Sequence, residues 1–274
     1  MEWSKLKNII ILILLVANLF LLVMTGVQQR SSAQRREQAL DDAVSVLERS
    51  GIKVDRNDLP SELDLVPLTV ERDRQAEGDL AAALLGECAS YDLGSGRYAY
   101  ESPLGTAEFR SNGNFSFSFS DGVLTADRPG EEEPHALDTL EKIGFIGTLV
   151  SREEEGGRTV LVLGQIWQEL PVLSCQVTLE YENGCLRTIV GQRLMGTPQT
   201  AADRTELISV STALLRFLSG VTDLGDICSE ITAVGPAYLL TTSSDATRLI
   251  PIWYVTTDTG AYSLNAVTGA LERA

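Results

Sequence analysis

Histidine is almost missing from this chain: His135 is the only one in 274 residues. The four cysteines, Cys88, Cys175, Cys185 and Cys228, contain no Cys-x-x-Cys pair. Structural zinc and thioredoxin-type sites need closely spaced sulfur or imidazole ligands, so both are excluded. Serine-hydrolase chemistry goes with them, because no Gly-x-Ser-x-Gly elbow exists and the one candidate base, His135, begins a helix beside glutamates. Glycine-rich phosphate loops are absent too. The most enzyme-like string is Asp258-Thr259-Gly260, the signature of aspartic proteases. Such a site needs two carboxylates sharing one proton, and there is no second copy. Thr256 and Thr257 before it are polar, and Asp-Thr-Gly between two strands is an ordinary hairpin turn. The chain is expected to be a non-enzyme with no cofactor and no bound metal.

Positive charge is also scarce. There are 22 Lys+Arg against 38 Asp+Glu, and residues 1–36 hold five of the former and one of the latter. Residues 37–274 therefore carry 17 basic and 37 acidic side chains, a net −20. Phosphate backbones and anionic headgroups would repel such a domain, so nucleic acid is not an expected partner. The acidity reads as solubility. Glu153-Glu154-Glu155 before Gly156-Gly157 reads as a solvated loop, since a calcium loop wants oxygens at alternate positions around a central glycine.

Long apolar runs are missing with one exception. From Ile9 to Val27 only Asn18 and Thr25 interrupt apolar residues and glycine. As a helix that length spans about 28 Å, one hydrocarbon core. Lys5 and Lys7 ahead of it also suit a secretory signal peptide, but the run is long for one. Gln28-Gln29-Arg30-Ser31-Ser32 after it also offers no small-x-small cleavage site. The reading is an uncleaved anchor, with Trp3, Lys5 and Lys7 at the membrane interface. Flanking charge leaves orientation open, because Arg30, Arg35 and Arg36 follow the run closely. Asn18 sits near mid-span, where an interhelical hydrogen bond contributes about 0.6–2 kcal/mol. Its helical neighbours Ile11, Leu14, Leu15, Leu21, Leu22 and Thr25 complete a candidate face for a partner helix.

After residues 1–27, residues 28–51 read as a stalk helix. Ala39, Leu40, Ala43, Val44, Val46 and Leu47 with charged residues between make it amphipathic, Gly51 stops it, and it docks onto the domain. A helix around Ala76–Leu84 and strand-like runs follow, among them Phe115, Phe117 and Phe119 alternating with serines. That aromatic stripe reads as core rather than a stacking platform. Pro129-Gly130 and three glutamates mark a break before a helix expected to bury Leu137, Leu140 and Ile143. Strands at about 159–167, 172–181 and 185–193 come next, the last two joined by Asn183-Gly184. This turn pairs Glu182 with Cys185 and sets Cys175 opposite Gln192, which places the two thiols on opposite faces. Thr200 to Asp203 resembles a capping box opening a helix that runs to Gly220, and three further strands close the chain. The pattern predicts an α+β domain of two helix-plus-antiparallel-meander subdomains, 52–128 and 129–274.

Several stretches carry a family resemblance. Met1-Glu2-Trp3-Ser4-Lys5-Leu6-Lys7, Asn18-Leu19-Phe20-Leu21-Leu22, Gln165-Ile166-Trp167, Asn183-Gly184, Pro251-Ile252-Trp253 and Tyr262-Ser263-Leu264-Asn265-Ala266-Val267-Thr268-Gly269 resemble the YycI family in the same order. The likeness covers residues 1–27 and about 158–272. The closing stretch is also similar to the last hairpin of PepSY-type modules. The resemblance implies a cytoplasmic N-terminus, an extracytoplasmic domain, and regulation of a WalK-type cell-wall sensor histidine kinase through helix and ectodomain contacts, with a YycH-type protein as a possible second partner. Two other readings stay open: a freestanding module holding a small ligand or wall fragment between its subdomains, and, from the PepSY-like hairpin, an inhibitor of a secreted protease.

Overall fold

The computed structural model describes residues 2–60, 65–128, 130–201, 205–243 and 247–274. The side chains of residues 2–13, 16, 23 and 25–32 lie outside that description. Pro129 and the Ala202–Asp203 half of the expected capping box are outside it as well. The fold is mixed α+β and dominated by sheet.

The first helix, α1, runs unbroken from Glu2 to Arg49. Gly51, at φ 88°, takes the left-handed backbone that turns the chain off it. Two short strands follow, β1 (Lys53–Val54) and β2 (Leu68–Val70). Then a single unit, a helix followed by a four-stranded antiparallel meander, occurs three times. The first has α2 (Arg74–Leu85) with β3 (Ala89–Gly94), β4 (Arg97–Ser102), β5 (Gly105–Arg110) and β6 (Asn114–Phe119). The second has α3 (Glu132–Lys142) with β7 (Gly147–Glu155), β8 (Arg158–Trp167), β9 (Leu170–Glu182) and β10 (Cys185–Gln192). After β11 (Pro198–Thr200), the third has α4 (Val210–Leu224) with β12 (Glu230–Thr242), β13 (Thr247–Thr257), β14 (Ala261–Asn265) and β15 (Leu271–Arg273).

Local chemistry explains most of these bounds. Asp73 caps α2 by accepting from the backbone N–H groups of Gln75 at 3.0 Å and Ala76 at 3.1 Å. Asn183 and Gly184, both at positive φ, form the tight β9–β10 turn. Phe115, Phe117 and Phe119 are buried and Ser118 is exposed, as alternation demands. Other bounds differ from the sequence pattern. α4 starts at Val210 behind the N-cap Ser209 and runs past Gly220 to a left-handed Gly225. Gly220 does not stop it, because its bare backbone is where Leu271 of β15 packs. In α3 the buried positions are Glu132, Ala136, Thr139 and Leu140, with Ile143 at the C-cap, while Leu137 lies one step round the helix and is exposed. Glu153–Glu155 belong to β7, paired with Val160, Thr159 and Arg158. A bulge between Leu186 and Thr188 sets Gly191 against Val177, so the expected Cys175–Gln192 alignment is displaced by one residue.

The core follows a different line from the chain order. The first two meanders join edge to edge through β6 and β10, with Phe117 opposite Ile189. This gives an antiparallel row β7-β8-β9-β10-β6-β5-β4-β3 across the position of Pro129. α2 and α3 share one core with it, centred on Phe109, Phe117, Leu161 and Tyr181. The third meander packs with α4 and the last turns of α1, where Leu40, Ala43, Leu47, Phe217 and Trp253 are buried together. A seam cluster that includes Leu68, Val172, Tyr238 and Leu249 lies between, and there β12 meets β9 through the pair Tyr238–Val172.

Candidate functional site: the exposed arm of the first helix

The two ends of α1 have opposite surroundings. Its last turns bury apolar side chains in the domain, whereas Leu14, Leu15, Leu19, Phe20, Leu21, Leu22 and Met24 are all exposed. At 100° per residue Leu14, Leu15, Asn18, Leu21 and Leu22 fall on one side, and Asn18 is exposed among them. Leu19, Phe20 and Met24 cover the remaining sides, so the arm is apolar all round. All of the candidate interface and anchor positions lie within α1. The side chains of Ile11, Thr25, Trp3, Lys5 and Lys7 are outside the described residues. Among the described residues no helix is long and apolar enough to cross a membrane.

The groups with possible chemistry are engaged in the fold. Asp258 sits in the turn from β13 to β14, and its carboxylate accepts from Ser229 N at 3.0 Å and Glu230 N at 3.3 Å as well as from the Ser229 hydroxyl. The Ser229 hydroxyl and these backbone donors hold its pKa below the usual carboxylate value. Asp226 accepts from the Tyr262 hydroxyl at 3.0 Å and Arg273 Nε at 2.7 Å, and Arg273 lowers its pKa in the same way. Asp226 lines an open cleft of about 250 Å³ together with Ile227, Thr259, Gly260, Tyr262 and Arg273. All four cysteines are free. Burial pushes the Cys175 thiol up to about 12, which leaves it unreactive.

Three buried polar clusters carry no signature in the sequence. His135 Nδ1 lies 2.9 Å from the Tyr181 hydroxyl. Burial favours the neutral form of both groups, raising the Tyr181 pKa and lowering that of His135. One helical turn before His135, Glu132 accepts from Arg152 Nη2 at 3.3 Å. Glu77, 1% exposed, is held by Arg72, whose Nη2 donates at 2.9 Å. Arg193 is buried with main-chain carbonyls as its acceptors, those of Ile143 and Leu194. Spacing could not have found the long-range pairs, since partners such as His135 and Tyr181 lie 46 positions apart and meet only through the packing of α3 on the sheet.

No protein-family model matches the chain. No curated protein matches it either. Several solved structures are distantly similar, two of them as follows. An uncharacterized protein from Eubacterium rectale ATCC 33656 is 12% identical, with a TM-score of 0.46 over 81% of this chain and 85% of that one. The Bacillus megaterium YpeB C-terminal domain is 10% identical, with a TM-score of 0.40 over 74% of this chain and 98% of that one.

Proposed function

We propose that this chain is a single-pass membrane protein, N-terminus in the cytoplasm, whose extracytoplasmic domain is a non-catalytic regulator of a WalK-type sensor histidine kinase, alone or with a YycH-type partner. The observation that carries this reading is the arm of α1. Seven large apolar side chains between Leu14 and Met24 are exposed there, and the same helix ends inside the domain core. Exposed apolar surface of that extent needs lipid or other helices around it. The apolar run Ile9–Val27 and the YycI-like stretches point the same way. The repeated helix-and-meander unit supports reading the domain as built from PepSY-type modules, grouped as subdomains behind the stalk.

Regulation requires that the contacts differ between the two signalling states of the kinase, since a partner with equal affinity for both shifts nothing. The helix face around Asn18 is the proposed transmembrane contact. Replacing Asn18 by Leu should reduce co-purification of the kinase from detergent-solubilised membranes. Undiminished co-purification would remove that face from the proposal, and release of the wild-type chain from membranes by alkaline carbonate would remove the anchor.

The alternative of a ligand module is weakened by the seam between the cores. The cavity lined by Val70, Arg72, Ser111, Arg193, Leu240 and Thr247 measures only about 10 Å³. A site of that size holds roughly one water molecule.

A further inference from the structure

We infer that the outer edge of β7 is a docking site for an extended segment of a partner protein, apolar at one end and basic along the rest. β7 ends the eight-strand row and pairs with β8 alone. Every residue from Thr148 to Glu155 is exposed, although Arg152 on the inner face reaches Glu132 of α3. An uncovered edge strand leaves alternate backbone N–H and C=O groups pointing outward, ready to extend the ladder.

The side chains along the edge define what would fit. At one end Ile146 and Val150 are 65% and 57% exposed. At the other end stand Glu153, Glu154 and Glu155. Arg152 is shared between Glu154 and Glu132, and among the described residues Glu153 and Glu155 have no ion pair. Ser151 pairs with Val162 and Glu153 with Val160, which places Glu153, and Glu155 two residues on, along the open face of the sheet. The bulge between Leu149 and Ser151 interrupts the edge, so the longer regular run is Ser151–Glu155. A strand laid along it would bring alternate side chains beside the two glutamates and its end beside Val150. Lys or Arg at those alternate positions meets the charge, and an apolar end residue covers Val150. A second copy of β7 fits less well, because it carries the same three glutamates and has no basic pair to offer.

The test uses the full chain in detergent micelles and a fluorescein-labelled peptide, Val-Thr-Val-Thr-Lys-Thr-Lys-Thr. Saturable binding by anisotropy is expected, with slowed amide hydrogen exchange confined to β7. The double change Glu153→Lys with Glu155→Lys should weaken binding by about tenfold or more, the scale of two lost charge contacts. Glu153→Gln with Glu155→Gln serves if the reversal perturbs folding, and a smaller loss is expected from it. A peptide with proline at alternate positions cannot form the ladder and should not bind. Absence of saturable binding, equal binding of the proline peptide, insensitivity to both glutamate variants, or protection away from β7 would each overturn the inference.

Discussion

Arg193 donates from Nη1 to the main-chain carbonyl of Ile143, the C-cap of α3, so a residue just past β10 closes the end of a helix fifty positions earlier. The guanidinium is buried beside Cys175, and burial lowers its pKa to about 10. Its charge faces the negative end of the α3 dipole. Arg193→Ala leaves that carbonyl unsatisfied and opens a void, and should cost about 2–4 kcal/mol. Urea unfolding followed by circular dichroism measures it. Arg193→Met, which keeps the volume, should cost less than Ala.

The Arg72–Glu77 pair is another buried charge cluster, with side chains 17% and 1% exposed. Arg72→Met alone strands the Glu77 carboxylate and should destabilise the domain by about 3–5 kcal/mol. Replacing both, Arg72→Met with Glu77→Leu, should restore most of that. A double-mutant cycle in urea tests the coupling, and additive losses would contradict it.

His135 predicts a pH dependence. Burial, aided by Lys142 and opposed by Asp138 and Asp127, holds its folded-state pKa below the ordinary value of 6.5. As pH falls through 6.5 the unfolded chain takes up the proton before the folded one, so stability drops with falling pH in that window. His135→Gln should flatten the difference in urea midpoint between pH 7.5 and pH 5.5 relative to the wild type.

Gly220 tests the packing of β15 on α4. A β-carbon there would lie 2.7 Å from Leu271 Cδ2 and 2.8 Å from Leu271 Cβ. Gly→Ala within a helix ordinarily gains about 1 kcal/mol. Here overpacking should outweigh that gain, at about 1–3 kcal/mol, and lower the thermal midpoint. Adding Leu271→Ala removes the Cδ2 contact but keeps the one with Cβ, so it should reduce the Gly220→Ala loss without abolishing it.

Asp258 shows how a motif and a turn are told apart. Its carboxylate is occupied by the Ser229 hydroxyl and two backbone donors, so Asp258→Ala should loosen the β13–β14 turn and lower the thermal midpoint. The lowered pKa means this support is present above the ordinary carboxylate value and is lost as pH falls through the folded one.

Taken alone, the sequence determined what is local. The alternation of Phe115, Phe117 and Phe119, the Asn183-Gly184 turn, the Gly51 stop and the apolar run Ile9–Val27 each depend on residues within a few positions of one another. Periodicity and turn chemistry read such features directly. Tertiary structure alone decided what is long-range. The start of α4 moved to Ser209, and Gly220 became a packing contact because β15 returns against it. β6 paired with β10, which merged two meanders over one core, and the stalk end of α1 joined the third. Buried partners such as His135 with Tyr181 and Arg193 with Ile143 were invisible for the same reason. Strand edges and helix faces are chosen by the whole set of burial and pairing energies, which no short window of sequence contains.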